Sequence, residues 1–160
     1  MNGPGSYQAK RLDDMERAFG GAMARVRAEL GITAFGVQVV DLPPSSGDLA
    51  PEHDHEHDGQ EELYVLLSGS ADLVVPDGVI ELDRQTFVRL GPAVRRRVRS
   101  GPEGARLLMI GGVPGRPYVA PASSELGGPE SLGPTASSAL VPDGSPPQLE
   151  HQSPGPRSQP

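Results

Sequence analysis

The sequence predicts an all-β fold, an antiparallel barrel or sandwich preceded by one helix. Short runs rich in Val, Leu and Ile recur between residues 53 and 110. Turn residues close each run at short intervals. Nothing between the runs has the length and period of the helices that a parallel sheet requires.

Each element has its own signal. Leu12, Met15, Phe19, Ala22, Val26 and Leu30 fall near a 3.6-residue period, which predicts an amphipathic helix over 12–30. Gly20-Gly21 weakens its middle, and Gly31 suits its C-terminus. The helix is read as a packing element over the barrel, with a dimer contact as the alternative. Ile32 to Val40 is a β-branched run stopped by Pro43-Pro44, a strand. Leu63–Leu67 ends at Ser68-Gly69, and Ala71–Val75 ends at the hairpin signal Pro76-Asp77-Gly78. Val79–Leu82, Thr86–Leu90, Val94–Arg99 and Arg106–Ile110 follow as strands. After Tyr118 the character changes. Nine of eighteen prolines and eight serines fall in the last forty residues. Such a stretch buries too little apolar surface to offset its ordering entropy. The expected organisation is an arm and helix over 1–31, a barrel over 32–120 and a disordered tail over 121–160.

Bulk properties exclude several function classes. There is no cysteine, so disulfides, zinc ribbons and thiol nucleophiles are absent. A net charge of -7 opposes general nucleic-acid binding. The opening residues lack the basic-then-apolar order of a signal peptide, and no apolar run approaches a membrane span, so a cytoplasmic protein is expected. The thirteen arginines and one lysine are read as genome composition and carry no functional weight.

The chemistry concentrates in PEHDHEHDGQEELYVLLSG, residues 51–69. It holds three of the four histidines, His53, His55 and His57, at alternate positions. On an extended strand such residues share one side. Glu62 follows a short polar turn and opens the returning strand. Its parity puts Glu62, Tyr64 and Leu66 on one face, where an ionised Glu needs a partner. Two imidazoles and a carboxylate converging inside a sheet suit Fe(II), Mn(II), Ni(II) or Zn(II).

These residues resemble the first motif of the cupin superfamily, His-x-His, then three or four residues, Glu, six residues and Gly. Here it reads His55-Glu56-His57, four residues, Glu62, six residues and Gly69. The second motif, Pro-x-Gly-x-x-His-x-x-x-Asn, corresponds to Leu90–Ser100. Arg96 stands where the family has its last histidine ligand, and Ser100 where it has Asn. The resemblance covers about residues 32–113. It implies a jelly-roll (double-stranded β-helix) barrel, a metal held by His55, His57 and Glu62, and a homodimer, since dimers are common in the family. It does not specify an activity, because cupins include dioxygenases, isomerases, decarboxylases, storage proteins and sugar-sensing domains. No organic cofactor is implied.

Two further residues bear on the site. His53 shares the parity of His55 and His57 and could replace a lost ligand, although its simplest place is the rim of the barrel. Arg96 shares a face with Val94 and Val98 and points inward if those valines do. It stays protonated and cannot ligate a metal. It either clamps an anionic substrate beside a three-ligand metal, or pairs with Glu62 in a site without metal. Tyr64 and Gln60 are expected to line the pocket. Arg95, Arg97 and Arg99 form a basic ridge on the opposite face, read as solvated and paired with acids such as Asp83 and Glu103. The expected functions are a small-molecule enzyme with a metal centre and, alternatively, a non-catalytic binding or sensing module.

Overall fold

A computed structural model describes residues 3, 5–47 and 51–130; the expected tail beyond residue 130 lies outside them. The described residues form seven strands: β1 Arg17–Ala18, β2 Met23–Ala24, β3 Gly36–Leu42, β4 Glu61–Val75, β5 Gly78–Leu82, β6 Phe87–Leu90 and β7 Arg97–Gly112. All pairings are antiparallel, in the order β1-β2-β3-β7-β4-β5, with β6 also on β4. The expected all-β class is thus observed.

Two long strands organise the fold. The first half of β4 pairs with Ala105–Gly112 of β7 and with β6. Its second half pairs with residues 97–100 of β7 and with β5. Register shifts between Leu66 and Ser68 and between Gly69 and Ala71 mark the bend from one sheet to the other. Gly69, at φ 76°, supplies the left-handed residue that the bend requires. The turn signals at Ser68-Gly69 and Ser100-Gly-Pro are therefore bends inside long strands and not strand ends.

The two faces of these strands bury different partners. Leu42, Tyr64, Leu66, Leu73, Leu90, Val98 and Leu107 form the inner core between the sheets. Val37 and Val39 turn outward with Leu108 and Ile110, and Met15, Ala24 and Val26 cover them. The N-terminal segment is a second layer on the outer face, as expected, but its conformation differs. Only Val26–Leu30 is α-helical, ended by Gly31 at φ 65°, with a single 3-10 turn over Leu12–Asp14. Residues 17–24 form a hairpin turning through Phe19, Gly20 and Gly21, all at positive φ. Each glycine would cost a helix about 1 kcal/mol. The hairpin instead adds backbone pairing to β3, and Met15, Ala24 and Val26 still reach the apolar face.

Residues 121–130 also depart from expectation. They pack back on the N-terminal unit, with a 3-10 turn over Ala122–Ser124. Two arginines hold them. Arg25 is buried, donates to the carbonyls of Ser123 at 3.1 Å and Gly128 at 2.7 Å, and pairs with Glu16. Arg27 is also buried and pairs with Glu125 at 2.7 Å. Composition alone predicts disorder here; the need of two buried guanidiniums for acceptors overrides it.

On the surface, Arg95 pairs with Glu52 and Asp54, and Arg99 with Asp72. The ridge thus lies among acids, though not the acids expected. Among the described residues, no helix is long and apolar enough to cross a membrane.

Leu107 is fully buried where the inner layers meet. Leu107→Ala should lower stability by about 2–5 kcal/mol, read as a shift in the chemical-denaturation midpoint. A variant as stable as wild type would mean that the sheets do not close on this residue.

Candidate functional site

Glu62 is the reference point of the site. In the second residue of β4 it pairs with Leu90 of β6 on one side and Gly111 of β7 on the other. Gly111 in turn pairs with Gly36 of β3. Gly36, Gly111, Glu62 and Leu90 therefore form one cross-strand row. Its parity is that of Tyr64, Leu66, Leu107 and Leu42, so the row faces inward. Glu62 is the acid at the open end of the inner core.

Arg96 reaches the same point from another element. His53 and Arg96 form an antiparallel bridge, with backbone bonds of 3.1 and 2.9 Å. The Arg96 side chain is 1% exposed. One Nη donates to the carbonyls of Val94 (3.1 Å) and His53 (3.4 Å), and the other donates to Glu62 Oε2. Its Nε is buried without a partner among the described residues. Arg96 points inward, and its guanidinium meets Glu62, the contact that one of the two alternatives for this residue requires.

The histidines divide differently from expectation. His53, His55 and Glu62 form the cluster, with their donor atoms within 4.8 Å of one another. His57 does not join it; its ring is 49% exposed and lies 3.4 Å from Asp58. The reason is local. Residues 56–59 turn, with the amides of Asp58 and Gly59 both donating to the carbonyl of His55. Gly59 takes φ 75°. Extended backbone stops at His55, so alternation links His53 with His55 and leaves His57 on the surface. His53 is thus a member of the group rather than a rim residue. The signal in the sequence was Asp58-Gly59, a turn pair that pulls His57 out of the strand.

Each clustered ring is anchored by its outer nitrogen. His53 Nδ1 lies 2.9 Å from the Pro51 carbonyl, and His55 Nδ1 lies 3.2 Å from Asp58 Oδ2. A proton on Nδ1 leaves Nε2 with a lone pair. His55 Nε2 sits 3.2 Å from Glu62 Oε1 and 3.2 Å from the Gln60 amide nitrogen. Neutral His55 accepts from Gln60; doubly protonated His55 donates to Glu62. Gln60 also donates to Glu62 Oε1 at 3.3 Å, its side chain lying over Gly111.

Charges follow from these contacts. Burial opposes ionisation of Glu62, but the His55 hydrogen bond and the Arg96 charge outweigh it and hold its pKa down to about 2. Burial disfavours protonated His55 too, but the hydrogen bond and charge of Glu62 raise its pKa. His53 goes the other way: burial first, then the Arg96 charge, keep it neutral. Tyr64, expected to line the pocket, is fully buried below Glu62 and Arg96, and burial pushes its pKa up. It supports the pair from beneath.

The donor set fits a divalent ion. Two imidazoles fixed through Nδ1 and a carboxylate whose second oxygen is held by Arg96 reproduce the outer-shell bonding that orients metal ligands. Arg96 adds a fixed positive charge next to that set.

The chain matches no protein-family model and no curated protein. Among solved structures, it is similar to a cupin protein from Bacteroides fragilis, with a TM-score of 0.56 and 22% identity over 73% of this chain and 92% of that one. It is also similar to a sugar phosphate isomerase of the cupin superfamily from Silicibacter pomeroyi, with a TM-score of 0.55 and 20% identity over 65% of this chain and 74% of that one. At such identity the likeness speaks for architecture alone. Joined to the bent, shared strands β4 and β7, it establishes that this chain has the cupin fold.

Proposed function

We propose that the barrel binds a small anionic molecule beside a divalent metal held by His53, His55 and Glu62. One observation carries this reading: His53, His55 and Glu62 bring one donor atom each within 4.8 Å of one another, and His55, anchored through Nδ1, turns its Nε2 to Glu62 Oε1. A bound Fe, Mn, Ni or Zn ion would supply a Lewis acid there. The chain's own groups set what accompanies it. Arg96 keeps Glu62 ionised and fixes its orientation. A dication with Glu62 and Arg96 leaves positive charge uncompensated in a partly buried site, and an anionic ligand is the natural balance. Gln60 can turn its amide between Glu62, His55 and a ligand. Tyr64 is buried too deeply to make that contact and acts as support.

A second reading is favoured by the Arg96–Glu62 pair. Here the pair replaces the metal, and the barrel is a non-catalytic module that binds an anion through Arg96 and protonated His55. Both readings keep a small-molecule ligand and a possible second copy of the chain as partners.

Metal analysis separates them. Under the first reading, protein purified without an affinity tag carries close to one equivalent of metal. His53→Ala, His55→Ala and Glu62→Ala lose it, and His57→Ala keeps it. If wild type carries none, and added Fe(II), Mn(II), Ni(II) and Zn(II) leave the melting temperature unmoved, the metal reading is wrong. Arg96→His should then gain affinity for Ni(II) or Zn(II), which would support the second reading.

Acid titration probes the pair itself. Because the folded pKa of Glu62 is depressed, its contribution to stability is full above the ordinary value of 4.5 and is lost as pH falls toward about 2. Glu62→Gln should flatten the stability curve across that window. An unchanged slope would show that Glu62 does not bear the charge assigned to it.

A further inference from the structure

The row that contains Glu62 has a gap. Gly36 and Gly111 are cross-strand partners on the inner face, so two adjacent positions beside Glu62 lack side chains. Two groups from elsewhere occupy the space. Over Gly111 lies the Gln60 amide. Over Gly36 lies Tyr118; a Cβ on Gly36 would fall 2.5 Å from its hydroxyl oxygen and 2.9 Å from Cζ. Tyr118 comes from neither sheet. It belongs to the segment that follows β7, and its ring is half-buried. Its hydroxyl makes no hydrogen bond within the described residues, so a donor is left over at the end of the row.

That segment is held at both sides of Tyr118. Before it, Arg116 donates to the carbonyl of Asp58 at 3.1 Å. Its guanidinium passes where a Cβ on Gly59 would fall 2.8 Å from Nη2. Asp58 is the residue whose carboxylate anchors His55. After it, Arg25 and Arg27 grip Ser123, Gly128 and Glu125. Residues 113–130 therefore run as a strap from the turn beside His55 to the N-terminal layer, with Tyr118 laid over the glycine gap.

We infer that Tyr118 is a specificity-determining wall of the barrel site, supplied by the strap, which covers the Gly36 end of the gap and offers its hydroxyl to the molecule lodged beside Glu62. Resting on the small-molecule reading above, the inference adds what limits that molecule. It is a small anion with an acceptor toward Gly36, because a bulky group on that side meets the ring. Burial raises the Tyr118 pKa, which keeps the hydroxyl protonated and able to donate.

Carbethoxylation of the histidines by diethyl pyrocarbonate, followed residue by residue by mass spectrometry, tests the wall without assuming a metal or a ligand. In the wild type His57 should react fastest, as the exposed internal control, and His53 and His55 more slowly. Tyr118→Ala should speed His53 and His55 at least threefold and leave His57 unchanged. Gly36→Ala, whose new methyl displaces the ring, should do the same by an independent route. Unchanged rates at His53 and His55 in both variants would overturn the inference. So would an equal rise at all three histidines, which would report loosening of the whole segment 53–57. Cobalt(II) and acetate binding to wild type, followed by calorimetry, keeps the two proposals apart. If neither binds while the labelling behaves as stated, the wall stands and the small-molecule reading falls.

Discussion

The ion pair between Arg96 and Glu62 is the constraint on which the site depends. A guanidinium as buried as Arg96 is costly unless its donors are used, and a carboxylate as buried as Glu62 is costly unless its charge is met. Each satisfies the other, and removing either leaves an uncompensated charge inside the barrel. The pair also fixes geometry. Arg96 is placed by its backbone bridge to His53 and by the alternation of Val94 and Val98, so Glu62 Oε2 has one available direction. That leaves Oε1 as the oxygen for His55 and Gln60. The arrangement of the cluster follows from one position, Arg96, where the sequence resemblance would have placed a histidine.

The same residue decides the charge of the site. A histidine at that position, the third of the group, would have added a neutral donor in place of a charge. Arginine brings a permanent positive charge, so Glu62 is already neutralised before any cation arrives. A metal remains compatible, because Arg96 binds the oxygen that the histidines do not use. In both proposed readings the excess positive charge, whether it comes from a metal or from protonated His55, is what an anionic ligand would balance.

Much of this was legible in the sequence, and the limits have physical causes. The all-β class and the inward parity of Glu62 and Arg96 followed from alternation, which holds wherever the backbone is extended; alternation also put Tyr64 on the inner face, but not its full burial beneath the pair, where it cannot line a pocket. The assignment of His57 over His53 did not hold. Alternation extrapolated through His57 ignores that Asp58-Gly59 ends the extended backbone two residues earlier. The helix over 12–30 dissolved into a hairpin because the same apolar residues reach the outer face in either conformation, and Gly20-Gly21 with the free edge of β3 tipped the balance. Disorder read from the composition of 121–130 gave way to Arg25 and Arg27. Their need for carbonyls becomes visible only once both are known to be buried, a fact of tertiary structure that composition does not hold.

Asp58 shows how closely the strap and the site are tied. Its carboxylate accepts from the backbone N–H of Gln60 through Oδ1 and meets His55 Nδ1 through Oδ2, while its carbonyl receives Arg116. One residue thereby sets the ring of a candidate ligand, the start of the strand that carries Glu62, and the entry of the strap that carries Tyr118. The glycine after it takes φ 75°, the left-handed region, and the Arg116 guanidinium crosses over its missing side chain. The turn therefore works as a joint: what shortens the run of extended histidines is also what lets a segment from beyond the barrel reach its mouth. The displacement of His57 to the surface and the anchoring of the strap that carries Tyr118 over Gly36 both involve this one turn.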